Sequence, residues 1–269
     1  MFTKDLITEK QDMRYLKWSR VRKSSGTAGS YLKAYDDSGR KIYYKLSCYD
    51  LINGITGHEC INELIVDRLL NLLEINHIHY QLIYATVLID SKEYDTWICA
   101  SEDFKETGDS KSALDEYFAI MQNYREDMFE FCIRMGWEEY IYDMILVDYL
   151  ILNRDRHGAN IEVIKRKSGK TELAPLFDHG LSLVFNCHTE EELKEFDPME
   201  DKPVQCVLGS RSAADNLKLI PKGKRPKIRQ LNDRDRAYLF AGLGDALPKS
   251  FQDKIWQMIT ERIAYYESL

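Results

Sequence analysis

The stretch Asn153-Arg154-Asp155-Arg156-His157-Gly158-Ala159-Asn160 decides the reading of this chain. It lies between Glu138 to Leu152, a run apolar over most of its surface as a helix, and a strand candidate from Ile161 to Ile164. A rigid helix ahead of a loop can fix the loop that follows. Asp155 and Asn160 stand five positions apart. An aspartate can orient an attacking hydroxyl and accept its proton. A neutral amide oxygen can bind a divalent cation without adding charge beside an anionic substrate. The spacing alone is a weak signal, because Asp and Asn are common in loops and Asp155 could simply pair with Arg154 or Arg156.

A second stretch, Pro175-Leu176-Phe177-Asp178-His179-Gly180, strengthens it. Here a carboxylate stands at the end of an apolar strand candidate and Gly follows closely, the D-x-G form of a metal-holding turn. Strands Ile161 to Ile164 and Leu173 to Phe177, joined around Lys167-Ser168-Gly169-Lys170, make a hairpin that folds Asn160 and Asp178 back against each other. Mg²⁺ favours a few oxygen ligands plus substrate phosphates, so Asn160 and Asp178 are candidate metal ligands. An Asp and Asn five apart, followed by D-x-G, is the order of phosphoryl-transfer loops.

Working outward, Leu16 to Val21, Tyr31 to Tyr35 and Lys41 to Leu46 read as strands, with a turn at Asp36-Asp37-Ser38-Gly39. Leu51 to Gly57 reads as a connector. Apolar residues at Ile61, Leu64, Ile65, Leu69, Leu72 and Leu73 keep helical spacing from Glu59 to Leu73. Tyr80 to Ile89 and Tyr94 to Ala100 are further strands. Ala113 to Met135 reads as one long helix, and two more helices fall between Asp233 and Glu267. The order is α+β, one domain over 1–269 in two lobes meeting near 100–105. A small β-rich N-lobe spans 1–104, and a larger helical C-lobe spans 105–269.

The composition agrees with a folded domain, since 44% of the 269 residues are hydrophobic and can fill a sizeable core. A formal net charge of −7 argues against binding along DNA, whose affinity rests on Lys and Arg against phosphates. None of the six cysteines forms a C-x-x-C pair, which removes the zinc-ribbon and thioredoxin-like readings. Reduced thiols in a cytosol are the simplest expectation; export as an effector by a signal not legible here is the alternative. No apolar run reaches membrane-spanning length. His77-x-His79 has no third ligand nearby in sequence and reads as structural, as does Cys187-His188. The basic stretch Lys218 to Arg229 reads as a solvated loop, with docking of an acidic protein or RNA as the alternative. Asn232 or Asp233 is expected to cap the helix that follows.

D-R-H-G-A-N followed by L-F-D-H-G resembles the catalytic elements of HipA-like serine/threonine kinases and, more distantly, phosphatidylinositol kinases. The resemblance covers roughly residues 20–220, including Asp197-Pro198-Met199-Glu200-Asp201-Lys202-Pro203. It implies a protein-kinase-like bilobal fold with ATP and Mg²⁺ as cofactors. Asp155 is then the catalytic base, and Asn160 and Asp178 are the Mg²⁺ ligands. His157 would lie near the transferred phosphate, or else hold the loop by hydrogen bonds. In that frame the small-residue loop Ser24 to Ser30, with Ser25, Gly26, Thr27, Ala28 and Gly29, would cover the phosphates. Lys45 would pair with them, oriented by Glu63 or, one turn earlier, Glu59. Adenine would sit at Ala100-Ser101-Glu102-Asp103-Phe104.

The resemblance further makes Ser24, Ser25, Thr27 and Ser30 candidate autophosphorylation sites. The extra N-terminal subdomain of full-length HipA proteins is not evident, because the first nucleotide-binding strand is read near residue 16. A toxin role would therefore involve a separately encoded antitoxin or a subdomain-like partner. The expected function is ATP-dependent transfer to Ser or Thr of a protein substrate in the cytoplasm. A small-molecule or phosphoinositide kinase is one alternative. A non-catalytic nucleotide-binding module of a toxin–antitoxin or host-interaction assembly is another.

Overall fold

The computed structural model describes residues 4–19 and 31–269. Its N-terminal part is built on β1 (Leu6–Asp12), β2 (Lys33–Asp36), β3 (Ile42–Leu46), the short ribbon β4 (Tyr49–Asp50) and β5 (Gly54–Ile55), α1 (Glu59–Leu72), β6 (Tyr80–Ile89) and β7 (Lys92–Glu102). Five of these strands form one sheet in the order β1-β6-β7-β3-β2, with β1 parallel to β6 and the other pairs antiparallel.

Strand alternation sorts the side chains onto two faces. Tyr44 and Leu46 of β3, Ile83, Ala85, Val87 and Ile89 of β6, and Ile98 and Ala100 of β7 form one small core. Tyr80, Leu82 and Cys99 point the other way and join the larger core beneath α1. Lys45, between Tyr44 and Leu46, therefore lies on the α1 face. Lys33 stands directly opposite it in the β2–β3 register and shares that face.

The first strand is not where the sequence pattern puts it. Within Leu16 to Val21 the described residues make only an isolated bridge, Ser19 to Lys33, and residues 20 and 21 lie outside the described set. The sheet begins earlier, at β1. That strand lies at the sheet edge and carries Glu9, Lys10 and Gln11 in succession, with a register shift between Ile7 and Gln11. Charged residues and irregular pairing are what a sheet edge favours, and both hide the period-2 signal. Lys10 fastens it to Asp95 of β7 at 3.0 Å.

The C-terminal part contains β8 (Ser110–Ala113), α2 (Leu114–Met121), α3 (Met128–Arg134), α4 (Glu138–Leu150), β9 (Asp155–Arg156), β10 (Glu162–Lys165), β11 (Thr171–Leu173), α5 (Glu190–Glu195), β12 (Gln205–Cys206), α6 (Ala213–Asn216), α7 (Asp233–Leu239) and α8 (Lys249–Ser268). The helix expected over Ala113 to Met135 is two helices. Arg125 adopts a left-handed φ of +62°, and Asp127 restarts the chain with a capping box to Glu130. β8 adds a third strand to the hairpin, in the order β11-β10-β8.

α4 is the centre of the larger core, with Ile141, Met144, Ile145, Leu146, Val147 and Leu150 buried alongside Ile255, Met258, Ile259 and Ile263 of α8. α1 is buried from Glu59 through Leu70, wedged between the sheet and the helical part. Arg68 ties it to the C-terminal region by donating to the carbonyls of Leu239 and Ala241 at 3.1 and 2.8 Å. Asn232 caps α7, accepting from the backbone N–H of Arg234 and Asp235.

Candidate active site

The loop after α4 hangs on a buried arginine. Arg156, 1% exposed, forks onto Asp148 of α4 at 2.9 and 2.8 Å. Its remaining nitrogen donates to the carbonyls of Asn160 at 3.2 Å and Phe177 at 2.9 Å. A guanidinium taken out of water is tolerable only when its charge is paired and its donors are used, and both conditions hold here. Asn153 adds a donor to Asp148 at 2.8 Å and accepts from the Asp155 N–H at 3.2 Å. One side chain thus joins the loop to the segment that leads into Asp178.

Asp155 is left facing outward, with its side chain 29% exposed. Neither neighbouring arginine engages it: Arg154 donates to the Pro203 carbonyl at 2.7 Å, and Arg156 is committed to Asp148. Nδ1 of His157 accepts from the Ala159 N–H at 3.2 Å and so holds the turn Gly158–Asn160. Its Nε2 lies 3.7 Å from the Asp155 carboxylate. His157 therefore holds the loop and also borders Asp155. Gly158 is needed for packing, since a Cβ there would come within 2.7 Å of the Asp115 Cβ on α2.

Asn160 is 2% exposed, and its amide nitrogen donates to the Asp155 carbonyl at 2.7 Å. That bond fixes the amide, leaving Oδ1 buried without a hydrogen-bond partner among the described residues. An unsatisfied buried acceptor costs about 1–3 kcal/mol, and such a group is retained where a ligand completes it.

Asp178 has a left-handed φ of +62°, a conformation Asp tolerates better than most residues, and its N–H donates to the Tyr80 hydroxyl at 3.2 Å. Its carboxylate meets Lys45 Nζ at 2.9 Å and Lys33 Nζ at 3.7 Å. Lys45 is also 2.7 Å from Glu63 Oε1. Burial works against the Lys45 charge, but Asp178 and Glu63 outweigh it and hold its pKa well above the ordinary lysine value. The other Glu63 oxygen accepts from the His179 N–H at 2.9 Å.

Glu63 is thus the residue that reaches Lys45. Glu59 turns away to accept from the Cys48 N–H and the Tyr31 hydroxyl. Gly180 allows α1 to lie close, because a Cβ there would stand 3.2 Å from that of Glu59. Asn62 of α1 donates to the carbonyls of Gly180 and Ser182, each at 3.0 Å.

The expected adenine region runs along the end of β7. Glu102 pairs with Arg40 at 2.7 Å, and the Phe104 and Phe177 rings lie 6.1 Å apart. Ser25, Gly26, Thr27, Ala28 and Gly29, with Ser24 and Ser30, lie outside the described residues. Three contributors escaped the sequence reading. Lys33 was findable only through its register opposite Lys45. Tyr80 was read as an ordinary strand residue. Asp148 carried no signal apart from its place one helix before the loop.

The donor set suits a hard divalent cation: a carboxylate at Asp178 and a buried amide oxygen at Asn160 that no described residue engages. Among solved structures, the chain is similar to the Helicobacter pylori proinflammatory kinase CtkA. The TM-score is 0.62 at 14% identity, over 95% of this chain and 94% of that one. The fold is kinase-like, with a sheet-rich N-terminal part and a helical C-terminal part. HipA of Shewanella oneidensis MR-1, solved with HipB and its operator DNA, gives a TM-score of 0.42 at 16% identity over 91% of this chain and 58% of that chain. A mutant of the Neurospora crassa PAN3 pseudokinase gives 0.33 at 12% identity over 98% and 67%. These two are too distant to argue from. No protein-family model and no curated protein sequence matches the chain. Among the described residues, no helix is long and apolar enough to cross a membrane.

Proposed function

We propose that this chain is an ATP- and Mg²⁺-dependent phosphotransferase that passes a γ-phosphate to a Ser or Thr hydroxyl of a protein. The observation that carries the reading is Lys45, held 2.7 Å from Glu63 and 2.9 Å from Asp178 on a kinase-like fold. Lys45 keeps its charge in a largely buried place and is positioned to draw nucleotide phosphates, with Lys33 beside it. Asn160 and Asp178 would hold Mg²⁺, whose charge offsets that of the phosphates. Asp155, half-buried in the loop, orients the acceptor hydroxyl and takes its proton. Glu63 keeps Lys45 in place. In this reading residues 1–104 cover the nucleotide and residues 105–269 carry the loop and the metal ligands.

The test is incubation of purified wild type and Asp155→Ala with γ-labelled ATP and Mg²⁺, followed by mass spectrometry. Label on serine or threonine in the wild type alone supports the proposal, and its position would show whether Ser24 to Ser30 is modified. Clear Mg²⁺·ATP binding with no transfer to any protein, lipid or small acceptor would overturn it in favour of a nucleotide-binding module. Transfer to a lipid or small molecule alone would reassign the acceptor and keep the chemistry.

A further inference from the structure

His77-x-His79 lacks a third ligand in sequence, but the fold supplies one. Asp67 of α1 faces both rings, and one ligand atom from each of the three residues lies within 4.8 Å of the others. Asp67 Oδ1 is 2.9 Å from His77 Nε2 and 3.2 Å from His79 Nδ1. Ligands on a tetrahedral Zn²⁺, each about 2.0–2.2 Å from the ion, stand roughly 3.4 Å apart. The two Asp67 spacings fall a little short of that separation, so the ligand atoms would part by a few tenths of an ångström around the ion.

The hydrogen bonds point the same way. His77 Nδ1 lies 2.6 Å from the Ile75 carbonyl, which can only accept, so this nitrogen carries a proton. Nε2 of the same ring faces the Asp67 carboxylate oxygen. The same oxygen also faces His79 and accepts from Asn71 Nδ2 at 2.7 Å, while Oδ2 accepts from the Tyr80 N–H at 2.6 Å. A histidine whose second nitrogen donates to a backbone carbonyl has the orientation of a metal ligand. Asp67 and His77 are buried, whereas His79 is 41% exposed and leaves an open side for entry and for water.

We propose that Asp67 Oδ1, His77 Nε2 and His79 Nδ1 bind one Zn²⁺, with water as the fourth ligand. Two imidazoles and a carboxylate suit Zn²⁺ and disfavour Mg²⁺, so this centre is separate from the one at Asn160 and Asp178. Its position gives it a structural role. Ile78 N–H donates to the Leu176 carbonyl at 2.8 Å, and Leu176 N–H donates to Asn76 at 3.2 Å. Bound metal would brace α1 against the segment that ends at Asp178.

The test is calorimetric titration of Zn²⁺ into chelator-treated, tag-free full-length protein, with melting temperature as a second readout. Wild type should bind one Zn²⁺ per chain and melt higher when loaded. His79→Ala, chosen because this ring is the most open of the three ligands, should lose affinity at least tenfold and show no Zn²⁺-dependent melting shift. Asp67→Asn should behave likewise, and Mg²⁺ alone should shift neither wild type nor variant through this site. Absence of Zn²⁺ binding by wild type would overturn the proposal. Equal affinity in wild type and His79→Ala would overturn it too.

Discussion

In the proposed function the loop Asn153–Asn160 and the strand carrying Lys45 serve one site, and they are held in different ways. The loop's side-chain bonds are mostly local, with Arg156 and Asp148 eight residues apart, Asn153 and Asp148 five, and Asn160 and Asp155 five, while its backbone also pairs with β12, 50 residues on. Lys45 depends on Glu63, 18 residues away, and Asp178, 133 away. The Lys45 side exists only if β3, α1 and the Asp178 turn are all docked. If the proposed roles hold, damage to the loop should remove chemistry, and damage to the Lys45 side should loosen nucleotide.

The sharpest break of that comparison comes at the two aspartates. Asp155→Ala should lower kcat by about 10²–10⁴-fold while leaving nucleotide affinity nearly intact, as expected for loss of a general base. Asp178→Ala should instead weaken Mg²⁺·ATP binding. Equal losses of ATP affinity in both variants, measured by calorimetry, would erase the distinction.

Next in size is the buried anchor of the loop. Arg156→Met leaves Asp148 without its partner in a nearly closed site, which should cost about 3–5 kcal/mol in urea denaturation. Arg156→Met combined with Asp148→Leu should recover much of that loss, because an apolar pair leaves no buried charge. A single variant as stable as wild type would show that the loop is not hung there.

On the Lys45 side, Glu63→Gln keeps the shape and removes the charge that holds the lysine. Hydrogen bonds to charged groups are worth about 1.5–3 kcal/mol, so kcat/KM for ATP should fall roughly 10–100-fold, mainly through KM. Lys33→Met should follow the same direction with a smaller change, its nitrogen being 3.7 Å from Asp178. A pure kcat effect in Glu63→Gln would move this residue to the chemical side of the comparison.

The smallest effect is a pH dependence at the start of α1. His58 bonds the Val184 carbonyl, and burial pushes its pKa down from 6.5 to about 4. The unfolded chain takes up a proton below about 6.5 while the folded ring stays neutral, so stability is lost as pH falls through that window. By pH 5.5 the loss from this group should reach about 1.4 kcal/mol. Urea midpoints at pH 7.5 and 5.5 should show it in wild type and not in His58→Gln. An unchanged slope in the variant would assign the effect elsewhere.

Much of the fold was legible from period and punctuation. α1, the β6–β7 hairpin and α4 follow strong apolar spacing, whereas the second strand of the next hairpin is Thr171–Leu173 and ends where the apolar run placed its start. β1 escaped because edge strands carry charges that mask alternation. The break between α2 and α3 was available in principle, since Asp127 and Glu130 stand at capping-box spacing. A continuous apolar pattern outweighed that signal.

By itself, the sequence determined the kinase-like order of elements and the catalytic-loop candidates, because their meaning lies in residue types at short fixed separations. The tertiary structure alone decided that Glu63 and not Glu59 meets Lys45, that Lys33 stands beside it, and that Asp67 completes the His77–His79 pair. It also decided that, among the described residues, one oxygen of Asn160 meets no hydrogen-bond donor. Each of these depends on which face of a strand or helix is turned toward a segment distant in the chain. That is set by the packing of whole elements, which short-range spacing does not encode.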